Sequence, residues 1–291
     1  GARLSPALQL AAREQQAQWM SLKAKQMRAQ AWAAHISGDF THDKDNTGLN
    51  LVLAALDSPT PQGRSKVNGH EVVVRQIQWG DSVLKELLAF GVKTLGSRPS
   101  LTLYTPEAPD GKQFRDVDAA SDRELEAALV RTLTATPEMT RWLISHLPLL
   151  KQADQLASLV PSAESLTLNE KIKQVTQPTF SWIKHRVQDD FALKVYSPVV
   201  KGNLFKALHE TQITQAIQTA DLLTVTNAER DSTAAQDGRR TAVMLLTGAM
   251  SMFYAGRLGG VLGRAILPVM TGGAAVSAIK DEGGSFSQWT S

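Results

Sequence analysis

HEVVVRQIQWGDSVLKELLAFGVKTLG, residues 70–96, sets the fold by where it divides into strand and helix. His70–Trp79 is rich in β-branched residues and follows Asn68-Gly69, a hairpin dipeptide, so it is predicted to be a strand. Asp81–Leu95 carries Leu84, Leu87, Leu88 and Val92 at helical spacing, with Gly96 just beyond, and is predicted to be a helix. Ser100–Thr105, SLTLYT, alternates as a second strand, and the turn Pro109-Asp110-Gly111 leads to a third in KQFRDV. The expectation is a small α+β element over residues 65–118, its sheet lying around 66–117.

On either side the signals are helical. Pro6–Ile36 has no glycine and is dominated by Ala, Gln, Leu, Met, Lys and Arg, with Met20, Ala24, Met27, Ala31 and Ala34 forming a weak apolar stripe. Its bases Arg3, Arg13, Lys23, Lys25 and Arg28 face only Glu14, a pattern shared by helices lying on anionic membranes and by solvated faces of packing helices. This arm and the loop after it fill residues 1–64. Further on, Ser121-Asp-Arg-Glu124 is a capping box, and Thr136-Pro137-Glu138 places a cap before a first-turn proline. Helices are predicted over Leu149–Leu159, Ser162–Val175, Phe180–Lys194 and Val199–Thr219, and from a capping box at Thr226-Asn-Ala-Glu229, giving a bundle over 119–240. The fold class expected is mainly α: a multi-helix bundle, a small embedded sheet and a C-terminal apolar hairpin over 241–291.

Composition removes several functions. An apolar fraction of 43% and a charged fraction of 20% belong to a globular chain. The net charge of +3 is spread over both halves and the six Trp are scattered, so no nucleic-acid partner is expected. With no cysteine, disulfides, thiolate catalysis and cysteine-based zinc sites are excluded. The start GARLSPALQLAAREQQ turns polar before an apolar signal core forms, and the Gly1-Ala2 and SQWTS ends are those expected of a piece of a longer protein.

No segment completes a catalytic or cofactor signature. In GDFTHDKDNTG, residues 38–48, Asp43, Asp45 and Gly48 match calcium-loop positions one, three and six, but Thr47 and Ala54 stand at five and twelve, where the bidentate glutamate is missing. This loop is expected to be closed by Asp and Asn side chains on its own backbone. The histidines His35, His42, His70, His146, His185 and His209 share no metal spacing. His146 reads as a partly buried residue near a helix end. His185 with Asp189 and Asp190 lies on one helical face, a geometry for acid/base work that a solvated, salt-bridged face also explains. No cofactor is expected, and no catalytic site within this chain.

The pattern LTLYTPEAPDGKQFRDVDAASDRELEAAL, Leu101–Leu129, followed by TRWLISHLP, Thr140–Pro148, resembles the dermonecrotic toxin-like domain at the N-terminal part of large secreted bacterial effectors and toxins. TADLLTVTNAERD, Thr219–Asp231, ahead of a Gly-rich apolar stretch, is similar to that domain's later part. The resemblance implies a helix-rich domain, secreted or delivered into a host cell, upstream of a toxic module. It brings no catalytic motif to map onto residues here.

That apolar stretch runs from Thr241 to Ile279 with only Arg257 and Arg264 charged. Thr241–Gly256 would be about 24 Å long as a helix, short of the ~30 Å hydrocarbon core. Spanning through either arginine would cost about 2.5–3.5 kcal/mol. A hairpin bent near Arg257 and Arg264 is the expected form. Gly256, Gly259, Gly260 and Gly263 make overlapping small-xxx-small patterns for close helix contact, and Arg239, Arg240 and Lys280 are placed to anchor both ends at one phospholipid surface. Two functions are favoured on this reading over a third, an enzyme with a nonstandard site assembled across the sheet and the bundle. One is a non-enzymatic accessory domain of a toxin that associates with an anionic host membrane; the other is a scaffold for a host protein or a secretion chaperone, with the hairpin as buried core.

Overall fold

The computed structural model describes residues 10, 13–41, 45–93, 100–159, 167, 170–171, 193–195 and 199–228. The apolar tract 241–279, the loop residues His42 and Asp43, and the predicted helices over 162–175 and 180–192 lie outside these, apart from Thr167, Glu170 and Lys171. The chain forms two compact units. Residues 20–147 and 151–211 make one; 1–19, 148–150 and 212–291 make the other.

The expected mainly α bundle is corrected. Among the described residues 49% are helical and 21% strand, and the organising element is a five-stranded antiparallel half-barrel. The elements are α1 (Gln16–Ile36), α2 (Thr47–Asp57), β1 (Val72–Trp79), β2 (Ser82–Val92), β3 (Ser100–Tyr104), β4 (Phe114–Asp118), α3 (Asp122–Leu133), α4 (Pro137–Ile144), α5 (Leu149–Leu159), β5 (Leu193–Lys194) and α6 (Leu204–Ala228). The strand order is β4-β3-β2-β1-β5.

The segment predicted as helix, 81–95, is β2. It pairs with β1 from Trp79↔Ser82 to Val72↔Val92, leaving Gly80-Asp81 as a two-residue loop whose Gly80 has φ 62°. A positive φ at the first loop position is what a II′ hairpin turn needs, and only glycine adopts it without strain. Leucines recur at helical spacing because the register slips: Gln76 pairs with Leu88 but Gln78 with Val83, so Leu84–Leu87 bulge opposite Ile77. Beyond the bulge, Leu88–Phe90 are all buried, because both sheet faces are covered.

One face packs Leu101, Leu103 and Val117 against Leu125, Leu129 and Leu133 of α3 and Met139 and Leu143 of α4. On the other, α2 packs on β1, β2 and β3, and cross-strand partners Tyr104 and Phe114 bring their rings to 5.0 Å. Here Gly48 approaches so closely that a Cβ would lie 2.8 Å from Asp116 Oδ1 and 2.9 Å from Phe40. Asp116 accepts from Thr102 Oγ1 and from the Thr41 backbone N–H, each at 2.6 Å. The 38–48 loop is therefore tied to the sheet, and the bond to its backbone at Asp45 O comes from Asn50 Nδ2 of α2 rather than from a side chain of the loop.

Local signals explain several other elements. Asn68 and Gly69 both have positive φ, and Val67 and His70 exchange backbone hydrogen bonds of 3.0 Å around them, as the hairpin dipeptide predicted. Thr136 Oγ1 accepts from Met139 N at 3.1 Å with Pro137 in the first turn, and α5 occupies Leu149–Leu159 as expected. Ser121 is the N-cap of α3, without a side-chain cap bond. The predicted helix starting at Val199 begins instead at Leu204. Val200 N donates to Val74 O at 2.8 Å, so the chain is still strand-like there, and Asn203 Oδ1 caps the helix through Phe205 N. α6 then continues through Ala228, so Thr226 lies inside a helix rather than starting one. Leu193 and Lys194, placed in a helix from sequence, form an edge strand because Trp79 and Gln78 offer them a free ladder.

Candidate functional site: the two faces of α1

Helix α1 carries Lys23, Lys25 and Arg28 and no Asp or Glu. It ends in a Schellman motif: Gly38, at φ 75°, donates to His35 O at 3.1 Å and Asp39 N to Ala34 O at 2.9 Å. Its inward face mixes Met27, Ala31 and Ala34 with buried Lys23 and Gln26. Lys23 Nζ donates to Tyr104 OH at 2.9 Å and to Gln26 Oε1 at 3.2 Å, and lies 4.9 Å from the Tyr104 ring centroid. Tyr104 OH donates in turn to Gln30 Oε1 at 2.5 Å, and Gln30 Nε2 to Gln113 Oε1 at 3.1 Å. A buried ammonium is tolerable only with such hydrogen-bond and aromatic-ring partners.

The outward face is reversed in character. Lys25, Ala29, Trp32, Ala33 and Ile36 are exposed, Trp32 at 46% and Ile36 at 84%. His35 meets the Trp32 ring edge-on at 5.9 Å. Arg28 reaches Asp57 of α2 at 2.6 Å, an exposed pair worth about 0–1 kcal/mol.

Several other polar side chains bind within the fold or are buried in it. Arg115 holds Asp110 through two 2.8 Å bonds and Thr105 Oγ1 at 3.0 Å, and this contact lowers the Asp110 pKa. Arg64 binds the carbonyls of Ser58, Pro59 and Val72, and burial lowers its pKa. His146, expected to be partly buried, is fully so; its Nδ1 lies 2.6 Å from Trp142 O, and Trp142 Nε1 donates to Pro106 O at 3.1 Å. His209 is buried on α6, and desolvation lowers its pKa to about 4. Glu86, in the β2 bulge, is buried with φ 68°, a strained conformation for a non-glycine residue.

Residues 2–150, which contain α1, α2, β1–β4, α3 and α4, match the family described as dermonecrotic toxin, N-terminal domain. The chain belongs to this family. No curated protein and no solved structure matches it. Within this toxin domain the match covers the blocks at 101–129 and 140–148 that carried the resemblance.

The toxin domain's sequence-predicted site residues, Arg239, Arg240, Gly256, Arg257, Gly259, Gly260, Gly263, Arg264 and Lys280, lie outside the described residues, as do His185, Asp189 and Asp190. Among the described residues there is no group of His, Cys, Asp and Glu able to hold a metal, and Thr47 and Ala54 of the calcium-like loop stand in α2. None of the described helices is long and apolar enough to cross a membrane. The outward Trp32–Ile36 pair was missed because a search for an apolar stripe finds Met27, Ala31 and Ala34 first; the signal was their complement, i, i+4, i+7 and i+11 from Lys25.

Proposed function

We propose that this chain is a non-enzymatic accessory domain of a secreted or host-delivered toxin, and that it associates with host membrane to deliver or position a downstream module. The observation that carries the reading is α1: an acid-free basic helix that turns Trp32 and Ile36 outward. Such a helix suits an anionic bilayer surface. The nearly uncharged tract Thr241–Ile279 supplies, from sequence, a second apolar element flanked by Arg239, Arg240 and Lys280. The engagement of Lys23, Arg64, Arg115 and His146 in holding the fold supports a role without catalysis.

Flotation of the full chain with vesicles tests the reading. Co-migration with vesicles containing phosphatidylserine, weakened by salt and by replacing the anionic lipid with phosphatidylcholine, is expected. A chain that stays at the bottom of the gradient with every lipid mixture, at neutral and acidic pH, would refute it.

A further inference from the structure

We infer that the strip Lys25–Ala29–Trp32–Ile36 on the outer face of α1 is the lipid-contacting surface of the described domain, with an anionic phospholipid bilayer as its occupant. This rests on the membrane reading and adds the place of contact. At 3.6 residues per turn these four positions fall within an arc of about 60°, and they extend about 16 Å along the axis. They form one narrow strip, with the cation at one end and the two large apolar side chains at the other. A side chain such as Trp, apolar with one polar N–H, suits the level of the headgroups. Ala29 and Ala33 between the anchors let the helix axis lie close to the surface.

Charge and area select the occupant. The helix has no acidic residue; Arg28 shares its charge with Asp57, and Lys25 is exposed in line with the apolar pair. Trp32 at 46% and Ile36 at 84% exposure offer together on the order of 250 Å² of apolar surface. That is well below the ~800 Å² per partner of a standard protein interface. It fits an interfacial anchor that acts together with a second signal, since single weak anchors bind membranes only marginally.

The chain has no cysteine, so a single introduced thiol reports one position. The 291-residue chain carrying Ile36→Cys, labelled with a polarity-sensitive fluorophore, is mixed with phosphatidylserine-containing vesicles. A second exposed position, Ala127→Cys on α3, is treated in parallel as the control. The Ile36 probe is expected to shift to the blue and the Ala127 probe to stay unchanged, while Trp32→Ala and Lys25→Glu each weaken vesicle binding roughly tenfold. If the full chain floats but the two probes respond alike, the strip is not the contact and the membrane reading stands alone. If the chain never floats, both fall. A blue shift at Ile36 that grows with protein concentration without vesicles identifies a second copy as occupant and overturns the assignment to lipid.

Discussion

Lys23 donates to the hydroxyl of Tyr104 at 2.9 Å, joining α1 to β3 across 81 residues of sequence. Both residues are buried, and the hydroxyl passes the bond on to Gln30. Removing the hydroxyl leaves a buried ammonium and a half-buried amide each with one hydrogen bond fewer. Tyr104→Phe is therefore expected to destabilise by about 1–3 kcal/mol. Lys23→Met in the same chain should restore part of this, because the costly group is then gone. Urea midpoints of the two single variants and the double variant check this. Strict additivity would mean that the contact carries no coupling.

Gly48 has the opposite problem, too little space rather than too few partners. A Cβ there meets Asp116 Oδ1 at 2.8 Å, Phe40 at 2.9 Å and Thr102 Oγ1 at 3.0 Å. Gly48→Ala must push the 38–48 loop off β4, with an expected loss of about 1–3 kcal/mol. Asp116→Asn, which keeps the size and weakens the bonds to Thr41 and Thr102, should cost less. Thermal melts of both variants decide the order.

What could be read from sequence was set by how local the signal is. Asn68-Gly69, Thr136-Pro137 and the helix-forming run Leu149–Leu159 each fix their own neighbourhood, and the structure has the predicted elements there. β2 was misread because its burial depends on two covering layers and its phase on a bulge opposite Ile77, neither of which is encoded within the segment. The Gly80-Asp81 dipeptide was the available clue: it is a two-residue hairpin signal between two runs of equal apolarity. The exposed strip on α1 was hidden for a related reason. Sequence patterns show which residues share a face, but which face turns inward depends on Tyr104 and Gln113, far along the chain.

His209 gives the fold a pH response with a definite sign. Burial lowers its pKa from 6.5 to about 4, so between these values the unfolded chain binds the extra proton and the folded chain does not. Stability therefore falls as pH drops below 6.5, by roughly 1.4 kcal/mol per unit at most, and the slope flattens below pH 4. Asp110 acts in a separate window: its pKa is lowered by Arg115, so its contribution is kept above 3.8 and lost only below. Urea midpoints at pH 7, 6, 5 and 4.5 should fall for the parent chain and flatten in His209→Gln. An equal slope in both chains would assign the response to other groups.

The matched residues 2–150 are not expected to fold on their own. Leu193 and Val195 lie in the same buried cluster as Ile77, Leu129 and Leu143, and Val200, Leu204, Phe205 and Leu208 are buried as well. The later chain is also bonded to the earlier: Val195 N donates to Glu126 Oε1 at 3.1 Å, Val200 N to Val74 O at 2.8 Å, and Leu204 N to Pro59 O at 3.1 Å. Burying each such apolar side chain stabilises by about 1.5–3 kcal/mol, so six of them reach the 5–15 kcal/mol that keeps a whole domain folded. A chain ending at residue 150 is expected to lack a cooperative melt and to expose the β1 edge, with aggregation as the consequence. A chain ending at residue 228 retains every one of these contacts and should melt cooperatively. Calorimetry of the two truncations tests the argument, and a sharp transition in the shorter one would show that β5 and α6 are dispensable to the sheet.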